Sequence, residues 1–246
     1  MSEGPGAESL DLSIVIPALN EETRLPRAVS GLRGYLDSTP VSAEVVIVEN
    51  GSSDATLQIA SDAAQADERF RAIHLPHRGK GRAIREGVAA SAGKNIVLCD
   101  ADFSMPVEEV STLLHAVQNG ADVAIGSREV AGARRIGEPA HRHLMGRVFN
   151  WLVRAIAVPG IEDTQCGFKA FRGQVARELF RQQRIDGWAF DVEVLFLAAR
   201  RGYSIREVPI TWRYDPSSRV SPVRDTIAMM RELIAIRFNA MRGVYG

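Results

Sequence analysis

Short apolar runs alternate with segments of helical period along the first half of the chain. Residues 12–16, 44–49, 71–74, 96–99 and 122–126 read as strands, and 26–37, 55–66, 82–91 and 106–118 as helices between them. The helix beginning at Pro106 carries Val107, Val110, Leu113, Leu114 and Val117 at helical spacing, with Glu108 and Glu109 in its first turn. Strands that are apolar throughout are buried on both faces, and strict alternation with helices predicts an α/β fold with a doubly wound, mostly parallel sheet. Further on, 204–210 reads as a strand, and 141–158 and 223–241 as amphipathic helices. Residues 1–10, with Gly4, Pro5 and Gly6, read as a disordered tail.

The polar chemistry follows the strands. After the first come Pro17, Ala18, Asn20 and Glu21; after the second, Glu49, Asn50, Gly51 and Asp54; after the third, Lys80 and Arg82 in a glycine-flanked basic run. After the fourth come Asp100, Ala101 and Asp102. Open α/β sheets bind ligands at the carboxyl ends of their strands, so these loops are expected to share one rim. Each loop alone is compatible with ordinary turn formation, because Asn, Asp and Gly favour turns. Two carboxylates one residue apart repel unless a cation stands between them, which points to Mg²⁺ or Mn²⁺ completed by water and phosphate oxygens. Helix capping ahead of Pro106 is the competing explanation for the same aspartates.

Composition narrows the picture further. The net charge is zero, but residues 1–127 hold 10 Lys and Arg against 18 Asp and Glu, and 128–246 hold 20 against 12. Lys169 is the only lysine of the basic half, and a bias to arginine suits bidentate binding of phosphate oxygens. No aromatic platform or recognition helix accompanies the charge, so nucleic acid is not an expected partner. Two cysteines, Cys99 and Cys166, make no disulfide framework and fit a reducing compartment. No run approaches the roughly 18 apolar residues of a bilayer span, and the first residues lack a secretory pattern.

The runs IVIPALNEE, VVIVENGSSDAT and RGKGRAIREG, the Asp-x-Asp strand and the following Gly126-Ser127-Arg128 occur in one order and spacing. In these the sequence resembles the family 2 glycosyltransferases of GT-A fold. DTQCGFKAF, residues 163–171, and WAFDVE, residues 188–193, resemble the branch that makes dolichyl-phosphate glucose and related polyprenyl-phosphate sugars. The likeness covers about residues 11–225. One departure is Glu49-Asn50-Gly51-Ser52, where relatives usually read Asp-Asp-Gly-Ser. The resemblance implies a GT-A catalytic domain over 11–221, with a nucleotide-sugar half at 11–127 and an acceptor half at 128–221, followed by the amphipathic segment 222–246.

By the same resemblance, Ala18, Glu21, Glu49 and Asp54 surround the nucleoside, with Pro17, Asn20, Asn50, Gly51 and Ala101 on the same loops, and Lys80 lies near the diphosphate. Asp100 and Asp102 hold the metal, and Arg128 and Arg142 grip the acceptor phosphate. Arg213 and Arg219 lie on a loop that closes over the donor, which a plain flexible loop would also explain. Asp163 and Asp191 orient the sugar, act as a base, or only stabilise loops. The implied reaction is inverting transfer from a UDP-sugar, glucose or an N-acetylhexosamine, to polyprenyl phosphate for cell-envelope glycans. The alternatives are transfer to a glycan or small hydroxyl acceptor, a GDP-mannose-using mannose synthase, and a nucleotide-sugar-binding module without catalysis. A lipid acceptor implies a cytoplasmic protein, peripheral at the inner face of a membrane, and possible homo-oligomer or membrane-protein partners. Helices 141–158 and 223–241 either touch the bilayer or pack in a core or dimer. His141 and His143 lack the companions of a zinc site, and Cys166 reads as a packed turn residue rather than a nucleophile.

Overall fold

The computed structural model describes residues 10–215 and 222–245. In order, the elements are β1 (Leu12–Ala18), α1 (Leu25–Ser38), β2 (Ala43–Asn50), α2 (Thr56–Ala66), β3 (Phe70–Leu75), α3 (Lys80–Ala90), β4 (Asn95–Leu98), α4 (Glu109–Gln118) and β5 (Val123–Ser127). There follow β6 (Arg134–Ile136), α5 (Ala140–Ile156), β7 (Lys169–Arg172), α6 (Gly173–Gln182), α7 (Phe190–Arg200), β8 (Ile205–Pro209), β9 (Thr211–Arg213) and α8 (Pro222–Met241). All five strands of the first half stand where the apolar runs place them, within one or two residues at their ends. Residues 1–9, most of the expected disordered tail, and residues 216–221, with Arg219 of the expected closing loop, lie outside the described residues.

Seven strands form one sheet in the order β3-β2-β1-β4-β7-β5-β8. The chain winds from β1 out to β3, then crosses back to place β4 on the other side of β1, so the winding reverses between β1 and β4. A crevice opens at such a reversal, and Asp100 follows β4 into it. One strand breaks the parallel pattern. β7 runs antiparallel between β4 and β5, with Lys169 opposite both Leu98 and Ile125. Because β7 is reversed, the turn that enters it lies on the rim where its neighbours leave. β6 and β9 pair as a separate two-stranded parallel sheet. The core is continuous, with Ile14, Val46, Val97 and Phe171 among its fully buried residues.

Candidate active site

The loops after β1 and β2 are stitched together. Asn20, at φ 54°, accepts the Ser53 N–H at Oδ1 (2.8 Å), and its own N–H donates to Ser52 Oγ at 2.9 Å. Asp54 Oδ1 accepts from the Thr56 N–H at 3.0 Å, and Thr56 Oγ1 in turn accepts the Glu21 N–H at 2.6 Å. Glu49 is buried, with Oε1 on the Ser52 N–H and Oε2 2.5 Å from His74 Nδ1. Burial alone would raise its carboxyl, but the Ser52 amide and His74 outweigh that and hold it below the ordinary range. Pro17 and Ala18 lie opposite Val48 and Glu49 in the sheet. Gly51 takes φ 82°, where a side chain would be strained and would press on the Pro76 carbonyl. Asn50 is buried, and its Oδ1 has no hydrogen-bond partner among the described residues.

Asp100 leaves β4 into the crevice, where Lys80 Nζ, in the first turn of α3, lies 2.6 Å from its Oδ1. Lys80 also sits over the Trp188 ring, 5.3 Å from its centroid. Burial pulls the Lys80 ammonium down, but Asp100, Asp191 and Asp102 outweigh it, so the group stays charged. Ala101 is buried, and Asp102 Oδ1 accepts the Ser104 N–H at 3.0 Å. Burial and the neighbouring Asp100 push the Asp102 carboxyl up, against the pull of the Ser104 amide and of Lys80. Among the described residues no three His, Cys, Asp or Glu side chains cluster in a way that could hold a metal. A cation here would therefore take two hard carboxylate oxygens and leave the rest of its shell to water and phosphate, which suits Mg²⁺ or Mn²⁺ and not a closed zinc site.

The turn 163–168 enters β7 and connects two chemistries. At one end Asp163 accepts Arg128 Nε and Nη2 at 2.7 and 2.9 Å, and also the Arg128 N–H at 3.0 Å. Glu207 fastens this end by accepting the Glu162 and Asp163 amides at 2.8 and 2.9 Å. Burial would raise the Asp163 carboxyl, but Arg128 dominates and holds it low, leaving a poor proton acceptor clamped to an arginine. At the other end Gly167 lies against Asp100 so closely that a Cβ would fall 2.1 Å from Oδ2. Beneath the turn, Lys169 Nζ binds Asp191 Oδ1 and the Cys166 carbonyl, each at 2.5 Å.

Arginines gather around two aromatic rings beside this turn. The Arg128 and Arg135 guanidinium carbons lie 5.3 and 5.9 Å from the Trp212 centroid. Arg135 is committed to Glu129 and Glu138. Arg142 donates from Nη1 to the Tyr214 hydroxyl at 2.7 Å. Arg213, on β9, gives its N–H to the Ser104 carbonyl at 2.7 Å, which ties this cluster to the loop that bears Asp102.

In the basic run after β3, Arg82 is paired, together with Arg85, to Asp186 at 2.5 and 2.9 Å. His143 Nε2 stands 3.4 Å from Glu129. Cys166 is buried, and its thiol is pushed up to about 11 by burial and Asp163, so it is not a nucleophile at neutral pH. Three residues not named as site candidates from sequence stand at the crevice: Lys169, Trp188 and Arg24. Arg24 chelates Glu21 at 2.5 and 2.6 Å, and Asp102 is among the charges acting on it. The Glu-x-x-Arg spacing of 21–24 was the legible signal for Arg24.

Comparison with known proteins agrees with this geometry. Residues 13–180 match the model of Glycosyl transferase family 2. The dolichyl-phosphate beta-glucosyltransferases of Drosophila melanogaster and Homo sapiens are 34% and 33% identical, over 96% and 95% of this chain and 77% of each relative. That of Dictyostelium discoideum is 31% identical over 97% of this chain and 77% of its own. Among solved structures, Mycobacterium tuberculosis glucosyl-3-phosphoglycerate synthase superposes with TM-score 0.70 at 20% identity, over 97% of this chain and 85% of that one. The same enzyme in complex with Mn²⁺, UDP and glucosyl-3-phosphoglycerate gives TM-score 0.70 at 18% identity, over 97% and 86%. With a family match over most of its length, and relatives at 31–34% identity that match nearly all of it, the chain belongs to glycosyltransferase family 2 and has the GT-A fold.

Proposed function

We propose that this glycosyltransferase moves glucose from UDP-glucose to a polyprenyl phosphate, releasing UDP and a β-linked polyprenyl-phosphate glucose. One observation carries the reading: the turn 163–168 binds Arg128 through Asp163 at one end and backs Asp100 through Gly167 at the other. Carboxylates suited to a metal-bound diphosphate and arginines suited to an anionic acceptor therefore share one short segment.

Asp100 and Asp102 would hold Mg²⁺ or Mn²⁺, which when bound supplies positive charge opposite the departing UDP. The loops carrying Asn20, Glu21, Glu49, Asn50 and Asp54 form the nucleoside side, and the orphaned Asn50 carbonyl oxygen calls for a donor such as a base N–H. Lys80 stays cationic beside the diphosphate position. Arg128 offers the guanidinium nitrogen left outside its fork with Asp163, and Arg142 is steadied by Tyr214. A phosphate monoester with a second pKa of about 6 is already a nucleophile at neutral pH, so orientation and electrostatics replace a general base. That fits an Asp163 held ionised and bound. The relatives' names, dolichyl-phosphate beta-glucosyltransferase, support both glucose and the lipid phosphate. UDP-glucose is α-linked, so a β product means direct displacement with inversion. The acceptor would place the protein at the cytoplasmic face of a membrane.

The test is a panel of labelled UDP-glucose, UDP-N-acetylglucosamine and GDP-mannose, each with Mg²⁺ or Mn²⁺ and a short, water-soluble polyprenyl phosphate. Label from UDP-glucose entering an acid-labile lipid is the expected result. Label confined to water-soluble glycan, or UDP binding without transfer, would overturn it.

A further inference from the structure

We infer that the outward faces of α5 and α8 form the surface by which this protein lies on an anionic phospholipid bilayer. Both helices bury one apolar face and expose a second. On α8, Leu233 and Ile236 are fully buried, while Ile227, Ile234, Phe238 and Met241 form a stripe at helical spacing on the solvent side, with Ile234 62% and Met241 76% exposed. On α5, Val153 is buried and Leu144, Met145, Val148 and Trp151 face outward, Leu144 and Trp151 each 65% exposed. The two helices pack against each other. Single exposed apolar side chains need no explanation, but eight on two adjoining helices do.

The charges choose the occupant. α5 contains no acidic residue, and Arg147 is exposed among its apolar side chains. Arg231 and Arg237 on α8, and Arg242 just beyond its end, are exposed, whereas Glu232 turns inward to accept the Ala189 N–H at 2.8 Å. A second copy of the chain would bring arginines against arginines. Anionic headgroups complement them, and the exposed Trp151 suits the headgroup boundary. No helix among the described residues is long and apolar enough to cross a membrane, so these helices would lie in the interface plane. Arg142 stands in the first turn of α5, so docking along this helix brings the acceptor arginines to the headgroup level. That last link rests on the proposed function; the docking does not.

The experiment is flotation of the full chain with vesicles of phosphatidylcholine alone or mixed with phosphatidylglycerol, at low and high salt. The expected result is flotation with the anionic vesicles, weakened by salt. Leu144→Glu/Trp151→Glu and Ile234→Glu/Phe238→Glu should each lower the bound fraction by about tenfold or more, with unchanged far-UV circular dichroism. Leu144→Gln/Trp151→Gln, which adds no charge, replaces either pair if it fails to fold. Wild type remaining in the soluble fraction, or variants that float as it does, would overturn the inference. So would a wild-type dimer in light scattering that the same substitutions dissociate without any vesicle binding. Transfer to the soluble short-chain acceptor should be unaffected in all these variants. If no form transfers sugar, the proposed function fails while the flotation result stands.

Discussion

Asp191→Ala should destabilise the protein far more than an ordinary surface change. Its carboxylate lies 2.5 Å from Lys169 Nζ, and both side chains are almost wholly buried, Lys169 at 1% exposure. Without Asp191, the ammonium keeps the Cys166 carbonyl as its one close partner among the described residues. Leaving half of a buried ion pair uncompensated costs about 3–5 kcal/mol, whereas replacing both halves by apolar side chains is often neutral. For a chain of this size each kcal/mol moves the melting temperature by about 2 °C, so the single variant should melt about 6–10 °C lower. Lys169→Met alone should fall by a similar amount. The pair Lys169→Met/Asp191→Leu should recover most of the loss, to within about 1–2 kcal/mol of wild type. Urea and thermal unfolding of the four proteins closes the cycle. The reasoning is refuted if either single substitution costs less than about 1 kcal/mol, or if the double costs the sum of the singles. The recovered double variant also separates folding from function: because Asp191 is one of the charges that keep Lys80 protonated, transfer should stay low although stability returns.

Asp102→Ala should abolish turnover and Mn²⁺-dependent UDP binding, read by calorimetry with and without metal. Arg128→Ala should raise the KM for lipid phosphate far more than the dissociation constant for UDP; equal losses in both would count against an acceptor role. Gly167→Ala should drive a methyl into Asp100 and weaken metal-supported UDP binding by at least about tenfold, which the 2.1 Å approach requires. Cys166 gives a pH signature. Its thiol ionises at about 11 in the fold against 9.0 ordinarily, so between those values the unfolded chain has lost a proton that the folded one keeps. Stability contributed by this group is therefore lost as pH rises through that window, by up to about 3 kcal/mol. Wild type should lose that much more than Cys166→Ala between pH 8 and 11 in urea melts, and parallel curves would rule it out.

Much of this site was readable because parallel strands announce their own ends. Apolar runs such as 96–99 fix where β4 stops, and whatever polar residues follow must emerge on the shared rim; Asp100, Asp102 and Lys80 meet there as that logic requires. What stayed hidden depends on contacts between residues far apart in sequence. β7 is four residues long and carries Lys169 and Arg172 at its ends, so neither length nor alternation marks it as a strand. Its reversal is what brings Asp163 and Gly167 to the rim. Likewise, nothing local says that Arg82 pairs with Asp186, 104 residues on. Trp188 and Lys169 were invisible as site neighbours for the same reason: their partners lie on other elements.

The antiparallel strand at the centre of the sheet also governs what can be cut from this protein. A fragment ending at Ser127 would keep β4 and β5 but lose β7, which joins them, and β8, so β4 would have one raw edge and β5 no partner on either side. The first half of the chain is thus no detachable module. Anyone joining it to another second half must carry residues 163–172 along as the keystone, and swap only what lies beyond them.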